Sequence, residues 1–488
     1  MTDGTTPPPA PGSGSGSDPR HVPQAPPPPP FDPNKPHHAT PRIRQTVIGM
    51  PVGVQTPQGQ QVMLALSDRA QIAEGQMLTS MLAQFMLAQM DGSNSVDDVA
   101  AKAAAMARTQ NVQAEAIPHL NAGNVKVLVS QLDAAGLLNG PVFDAKLALL
   151  RAEYDKSPNL PPSTTAAMAD AMVVQELGEA ATDEKKAELG PAKLRAFLDA
   201  AMNEVMAKVE DPSFDTLPAC VMAPQIDYFR GAVGYAHVYG RMRVTDRPDR
   251  IIILGANNFG FGTGVVGCDK GFATPLGTVE RDAAFASALE SALGKDNTTK
   301  LYQDRYDHER EQSIELQLPW IQAVFGDASG RSPKVFAALV HDPAMNNGES
   351  YDGKGLAFLP FVEALTKAIA QVGGRTLVIC SANCAHIGAS FGDRVPLVGD
   401  APETLQFRER ILQNDKEMLG LVEQAKAQEL VASMAWQRNP TRWKSVGPIA
   451  ASIMATHAKK VRLLNYMVVG DDKGYAGIGC LSAVSVND

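Results

Sequence analysis

Four short segments concentrate the side chains that could do chemistry. They are Pro224-Gln225-Ile226-Asp227-Tyr228, Gly255-Ala256-Asn257-Asn258, the charged run Asp307-His308-Glu309-Arg310-Glu311-Gln312-Ser313-Ile314-Glu315, and Ser381-Ala382-Asn383-Cys384-Ala385-His386-Ile387-Gly388. The carboxamides of Gln225, Asn258, Gln312 and Asn383 each donate and accept hydrogen bonds, which suits a polar ligand. Asp227, Glu315, Cys384 and His386 add carboxylates, a thiol and an imidazole, groups that can hold a divalent metal or move a proton. Cys384 and His386 stand two residues apart, so an activated thiolate is one reading, and an inert core thiol beside a structurally hydrogen-bonded histidine is the other. His237, within Gly234-Tyr235-Ala236-His237, reads as a half-buried side chain on a helix, and His308 as solvated charge at a helix start.

The elements that must position these groups are strands alternating with helices. Apolar runs at 219–223, 251–254, 335–340, 377–380, 461–469 and 478–486 read as strands. Helical spacing covers 282–293, 312–325, 359–372, 403–425 and 448–458. This alternation predicts an α/β sheet with helices on both faces from residue 218 to 488, whose ligands sit just beyond the C-terminal ends of strands. Gln225, Asn258, Gln312, Asn383 and His386 are therefore expected to line one cleft at that edge. Gly262-x-Gly264-x-x-Gly267 fits a dinucleotide pattern in letters alone, because it starts well past its strand and no helical pattern follows it.

Ahead of the sheet, 46–140 reads as a small α+β module. A hairpin is expected from 47–54 and 62–66, then helices at 77–90, 99–107 and 125–135, with Ser95 and Asp98 spaced as a capping box and Gly136 as a stop. Residues 141–217 are alanine-rich and helical, expected as a connector. Fourteen of the 35 prolines fall within the first 41 residues among Gly-Ser repeats, so 1–45 is expected to be a disordered arm. It reads as a solvated tether, with a polyproline ligand for an aromatic groove as the alternative.

The 488 residues carry a net charge of −9 without a basic block, which argues against nucleic-acid binding. No apolar run is long enough to span a membrane, and no secretory signal is visible. Five scattered cysteines fit a reducing compartment, and a cytoplasmic location is expected.

The C-terminal segments resemble the Memo family, also called AmmeMemoRadiSam system protein B. The likeness extends through Thr274-Pro275-Leu276-Gly277, Ser313-Ile314-Glu315-Leu316-Gln317, Gly447-Pro448-Ile449 and Gly474-Tyr475-Ala476-Gly477-Ile478. It implies the fold of class III extradiol dioxygenases, the class that uses non-haem iron, with metal ligands in the pocket of some members. The pattern departs from the family at the site itself: the resemblance puts histidine where Gln225, Asn258 and Gln312 stand, and aspartate where Asn383 stands. A carboxamide oxygen is neutral and a weak ligand, so no metal and no cofactor are expected, and the chain reads as a non-catalytic binding or scaffold homologue. The alternatives are a non-haem iron or copper redox enzyme whose ligands have moved to His237, His308, Cys384, His386, Asp227 or Glu315, and an assembly protein with a vestigial pocket. The module at 46–140 resembles a PqqD-like winged helix, which implies a peptide or protein partner and an AmmeMemoRadiSam-type setting with a radical-SAM or AMMECR1-like partner.

Overall fold

A computed structural model of the chain describes residues 30–56, 59–70, 72–73, 75–471 and 473–486. By its internal packing the chain falls into two units, Met1–Lys156 and Ser157–Asp488.

In the N-terminal unit the stretch at 30–45 departs from the expected disordered arm. It forms a short helix, α1 (Pro36–Ala39), and packs Phe31 and Ile43 onto a core of Leu66, Val99, Val125 and Leu132. Proline content hid the fact that this stretch owns apolar and aromatic side chains to bury. The remainder of the expected arm, 1–29, lies outside the described residues. β1 (Val47–Thr56) and β2 (Gly59–Asp68) pair antiparallel as the alternation predicts. β3 (Gln76–Thr79) pairs with β2, which corrects the helix expected over 77–90. Pairing Met77 with Leu66 on an open sheet edge outweighs a weak helical spacing, and only a short α2 (Ala83–Leu87) follows. α3 (Val96–Thr109) opens with the expected Ser95–Asp98 capping box, and α4 (Ala122–Ala135) stops at Gly136, whose φ of +74° favours glycine. α5 (Pro141–Lys156) closes the unit, and so takes up part of the expected connector.

The rest of that connector belongs to the C-terminal unit, as β4 (Asn159–Leu160), α6 (Thr164–Leu177) and α7 (Asp183–Met206). Beyond it run β5 (Cys220–Pro224), α8 (Tyr228–Tyr239), β6 (Arg250–Gly255), β7 (Val266–Gly267), β8 (Gly271–Thr274), β9 (Gly277–Val279) and α9 (Ala283–Tyr302). The helix expected over 312–325 is two, α10 (Gln312–Glu315) and α11 (Leu318–Phe325), because Pro319 starts a helix better than it continues one. β10 (Lys334–Leu339), α12 (Phe358–Val372) and β11 (Thr376–Ile387) follow, then α13 (Pro402–Glu423), α14 (Ala427–Gln437), α15 (Val446–Ala455), β12 (Lys460–Gly470) and β13 (Gly477–Val486).

Seven strands form one sheet in the order β12-β13-β5-β11-β6-β10-β7. The inner four, β5, β11, β6 and β10, are parallel, and β7, β12 and β13 run against their neighbours. Their near-continuous Val, Ile and Leu content suits strands covered by helices. α9, α12 and α15 pack together, and so do α7, α8 and α11, where Trp320 stacks between Tyr235 and Tyr239 at ring distances of 5.3 and 5.7 Å. This is the expected α/β class. No described helix is long and apolar enough to cross a membrane.

Candidate functional site

The parallel strands β5, β11 and β6 are neighbours, so their C-terminal ends bring residues from three distant stretches to one edge. Pro224 pairs with Ala382, which puts Gln225 level with Asn383, and the Gln225 main-chain N–H donates to Asn383 Oδ1 at 3.2 Å. Both side chains are buried. Beneath them lies a chain of hydrogen bonds. Tyr239 OH donates to Gln317 Oε1 (2.9 Å), and Gln317 Nε2 donates to the Pro224 carbonyl (2.8 Å) and to Ser381 Oγ (2.9 Å). Ser445 Oγ accepts from Asn383 N at 2.8 Å and donates to the Ser381 carbonyl at 3.1 Å.

At the end of β6 a second cluster forms around Glu311. Its Oε2 accepts from the Asn258 N–H (2.7 Å), and its Oε1 accepts from Asn258 Nδ2 (3.1 Å) and the Ser313 N–H (2.8 Å). Ser313 approaches so closely that a Cβ at Gly255 would sit 2.3 Å from its Oγ, so only glycine fits the strand end there. Burial raises the Glu311 carboxyl from 4.5 to about 7, and the three donors pull it back only in part. Gln312 is half-buried at the start of α10. Asp307 shapes the adjoining loop, accepting from Asn257 Nδ2 (2.7 Å) and the N–H groups of Phe261 (2.9 Å) and Gly262 (2.7 Å).

Two buried atoms at this edge have no partner among the described residues: Gln225 Oε1, and Nδ1 of His341, which follows β10 and whose Nε2 meets the Glu349 carbonyl at 3.1 Å. Unpartnered buried atoms occur elsewhere too, as at Trp320 Nε1 among the tyrosine rings. Gln225 and His341 are the two that stand just past parallel strands.

Several expected site residues serve the fold instead. The strand expected over 377–380 runs on to Ile387, because β11 changes partner, pairing antiparallel with β13 from Asn383↔Cys480 to Ile387↔Gly477. Cys384 therefore lies in the hydrophobic core at 0 % exposure, and burial pushes its thiol well above the ordinary range. His386 does not activate it, since the imidazole Nδ1 meets the Cys384 carbonyl at 2.9 Å rather than the sulfur. His386 lies beyond a register irregularity, edge-on to Phe391 at 5.1 Å, and burial lowers its pKa to about 4, so it is neutral at pH 7. Glu315 turns away to cap α6, accepting from the N–H groups of Ser163 (2.9 Å), Thr164 (3.1 Å) and Thr165 (2.8 Å). Asp227 caps α8 and pairs with Arg230 at 2.6 Å. His237 touches Arg241 from within α8. His308, expected as solvated charge, is 3 % exposed and bound to the Val266 carbonyl at 3.1 Å.

The edge thus joins Gln225 with Asn383 and Asn258 with Glu311, while Cys384, Glu315 and Asp227 are held elsewhere. Glu311 stands in the charged run quoted from the sequence and Gln317 in a motif of the family resemblance, but neither they nor Ser445 and His341 were among the expected site residues. Only Glu311 left a local signal, an acid two residues ahead of Ser313 at a helix start. The iron or copper that the resemblance implies does not fit the donors here. Carboxamides dominate, both Glu311 oxygens are engaged, and no trio of His, Cys, Asp or Glu at this edge, among the described residues, has its donor atoms within 4.8 Å of one another.

Comparison with known proteins gives a family-model match, described as Memo-like protein, over residues 188–477. A MEMO1 family protein of Methanopyrus kandleri is 28 % identical over 293 residues, 58 % of this chain and 89 % of that protein. MEMO1 family proteins of Desulfurococcus amylolyticus and Methanothermobacter thermautotrophicus are 28 and 27 % identical, covering 40 and 52 % of this chain and 64 and 79 % of theirs. The match starts within α7, so part of the expected connector belongs to the matched region.

Proposed function

The chain belongs to the Memo-like protein family, and from the carboxamides at its strand ends we propose that its C-terminal unit is a binding component rather than a metal-dependent enzyme. The observation that carries this reading is Gln225 Oε1, an acceptor 2 % exposed in its residue and unmatched by any described donor. A buried acceptor without a donor costs about 1–3 kcal/mol, and a ligand N–H or O–H placed there removes that cost. The ligand class is a small polar molecule or a peptide end carrying such a donor. The N-terminal unit, with its hairpin and helices, is the PqqD-like reader of a peptide or protein partner in this proposal. The setting is an AmmeMemoRadiSam-type system in the cytoplasm, alongside a radical-SAM or AMMECR1-like protein.

One observation favours the enzyme reading, the Glu311 carboxyl poised near neutrality where it could exchange a proton. Metal titration separates the two. In a His37→Ala/His38→Ala background, which removes the adjacent imidazole pair of α1, iron(II) and copper(I) should bind weakly. Adding Gln225→His, Asn258→His and Gln312→His together should raise affinity by at least about tenfold, since full ligand sets outperform partial ones. Tight stoichiometric iron in the unrestored protein, lost on Glu311→Gln or His386→Ala, would establish the enzyme instead. Mass spectrometry of small molecules released from the purified full chain should find a polar species that is absent after Gln225→Met.

A further inference from the structure

Asp133, in the last turn of α4, is 3 % exposed, and two imidazoles of the preceding segment close on one of its oxygens. His37 Nε2 lies 3.2 Å and His38 Nε2 3.0 Å from Asp133 Oδ2. All three donor atoms fall within 4.8 Å of one another. A zinc tetrahedron with bonds of about 2.0–2.1 Å has ligand-to-ligand edges of about 3.3 Å. The two contacts already have that spacing. We propose that His37, His38 and Asp133 form a binding site for one divalent first-row cation, zinc by preference, which fastens the segment around α1 to α4.

The surroundings fix where the two imidazoles stand. His37 lies so close over Gly140 that a Cβ there would meet its ring at 2.8 Å. His38 stacks on Phe31 with centroids 5.3 Å apart, and the two imidazoles meet edge to face at 4.7 Å. A buried carboxylate also calls for positive charge, and Lys35 Nζ stays 4.0 Å away with its side chain 42 % exposed. A divalent ion bound to Oδ2 would bring positive charge closer than this loose ion pair does, and water would complete the sphere as in three-ligand zinc sites.

Binding has a proton consequence. Without a cation, His38 Nε2–H donates to Asp133 Oδ2 while Nδ1 accepts the Asp32 N–H at 3.1 Å. With a cation on Nε2 the proton must sit on Nδ1, so the Asp32 amide loses that acceptor. The site is therefore coupled to the backbone at Asp32, and hydrogen exchange of that amide should speed up on metal binding.

The test uses the full chain, stripped with a chelator and titrated with cobalt(II), whose visible absorption reports a tetrahedral site. One equivalent should bind with that absorption and be displaced by zinc. His37→Ala, His38→Gln and Asp133→Asn should each weaken binding by at least about tenfold, while Gln225→Met and Glu311→Gln should leave it unchanged. Zinc should also raise Tm in the wild type and not in His37→Ala, whose side chain is partly exposed and least needed for folding. Folded wild type that shows no cobalt absorption, or absorption that persists in folded His37→Ala and His38→Gln, overturns the site.

Discussion

Around Asp415 and around Gln225 the C-terminal unit buries two polar clusters that differ in how their hydrogen bonds close. Asp415, 1 % exposed, accepts from Thr441 Oγ1 (2.9 Å) and Trp443 Nε1 (2.8 Å) through one oxygen and from Tyr466 OH through the other. It ties α13 to β12 and to the segment before α15, and both its oxygens are engaged. At the strand ends the chain from Tyr239 to Asn383 closes too, but Gln225 Oε1 is left over. A closed network stabilises the fold, whereas an open acceptor costs stability unless something else binds it. Burial of polar groups alone would not tell the two apart.

The comparison breaks most sharply at Asp415. Asp415→Ala leaves two buried donors and the half-buried Tyr466 hydroxyl without an acceptor and should cost about 3–5 kcal/mol in urea unfolding. A loss under about 1 kcal/mol would mean that this cluster is not structural. Glu311 provides a test through pH. Its folded pKa lies above its unfolded value, so its contribution to stability is present below about 4.5 and is lost as pH rises to about 7. The buried histidines His308 and His386, lowered to about 4, act in the opposite direction between about 4 and 6.5. The difference in Tm between wild type and Glu311→Gln, followed from pH 5 to 8, isolates the glutamate and should move steadily in the wild type's favour as pH falls. A difference that does not vary with pH would place the Glu311 carboxyl in the ordinary range. Glu315→Ala removes the acceptor for the start of α6 and should cost about 1–3 kcal/mol with no effect on ligand binding. The smallest change is expected at Gln225→Met, which keeps the volume and removes the open acceptor. Relieving the unmatched acceptor should stabilise the ligand-free protein by about 1 kcal/mol, the low end of its cost, while the polar ligand is lost. A large loss of stability there would show that Gln225 belongs with Asp415 as part of the fold.

Much of the sheet was legible from the chain alone. The strands around 251–254 and 335–340 and the helix at 359–372 announce themselves by period and length, since a buried parallel strand needs a short apolar run and a helix needs a stripe. The capping box at Ser95 and the stop at Gly136 are equally local signals. The site was legible in half. Gln225, Asn258 and Asn383 do sit at the ends of adjacent strands, because strand order follows from the parallel pairing of β5, β11 and β6. Their partners were hidden. Gln317 and Ser445 lie 92 and 220 residues beyond Gln225, and nothing local marks which amide will face which hydroxyl.

By itself the sequence determined that carboxamides stand at positions 225, 258 and 383 and that an α/β sheet presents them. Composition and spacing carry that much because each is a property of a short window. Only the tertiary structure decided that Cys384 faces the core, that Glu315 caps a helix 150 residues earlier, and that His38 meets Asp133 across 95 residues. The direction of a side chain at a strand end depends on which strand pairs beside it. For β11 that partner is β13, from the far end of the chain, whose antiparallel pairing carries the strand through Ile387 and sets where each residue points.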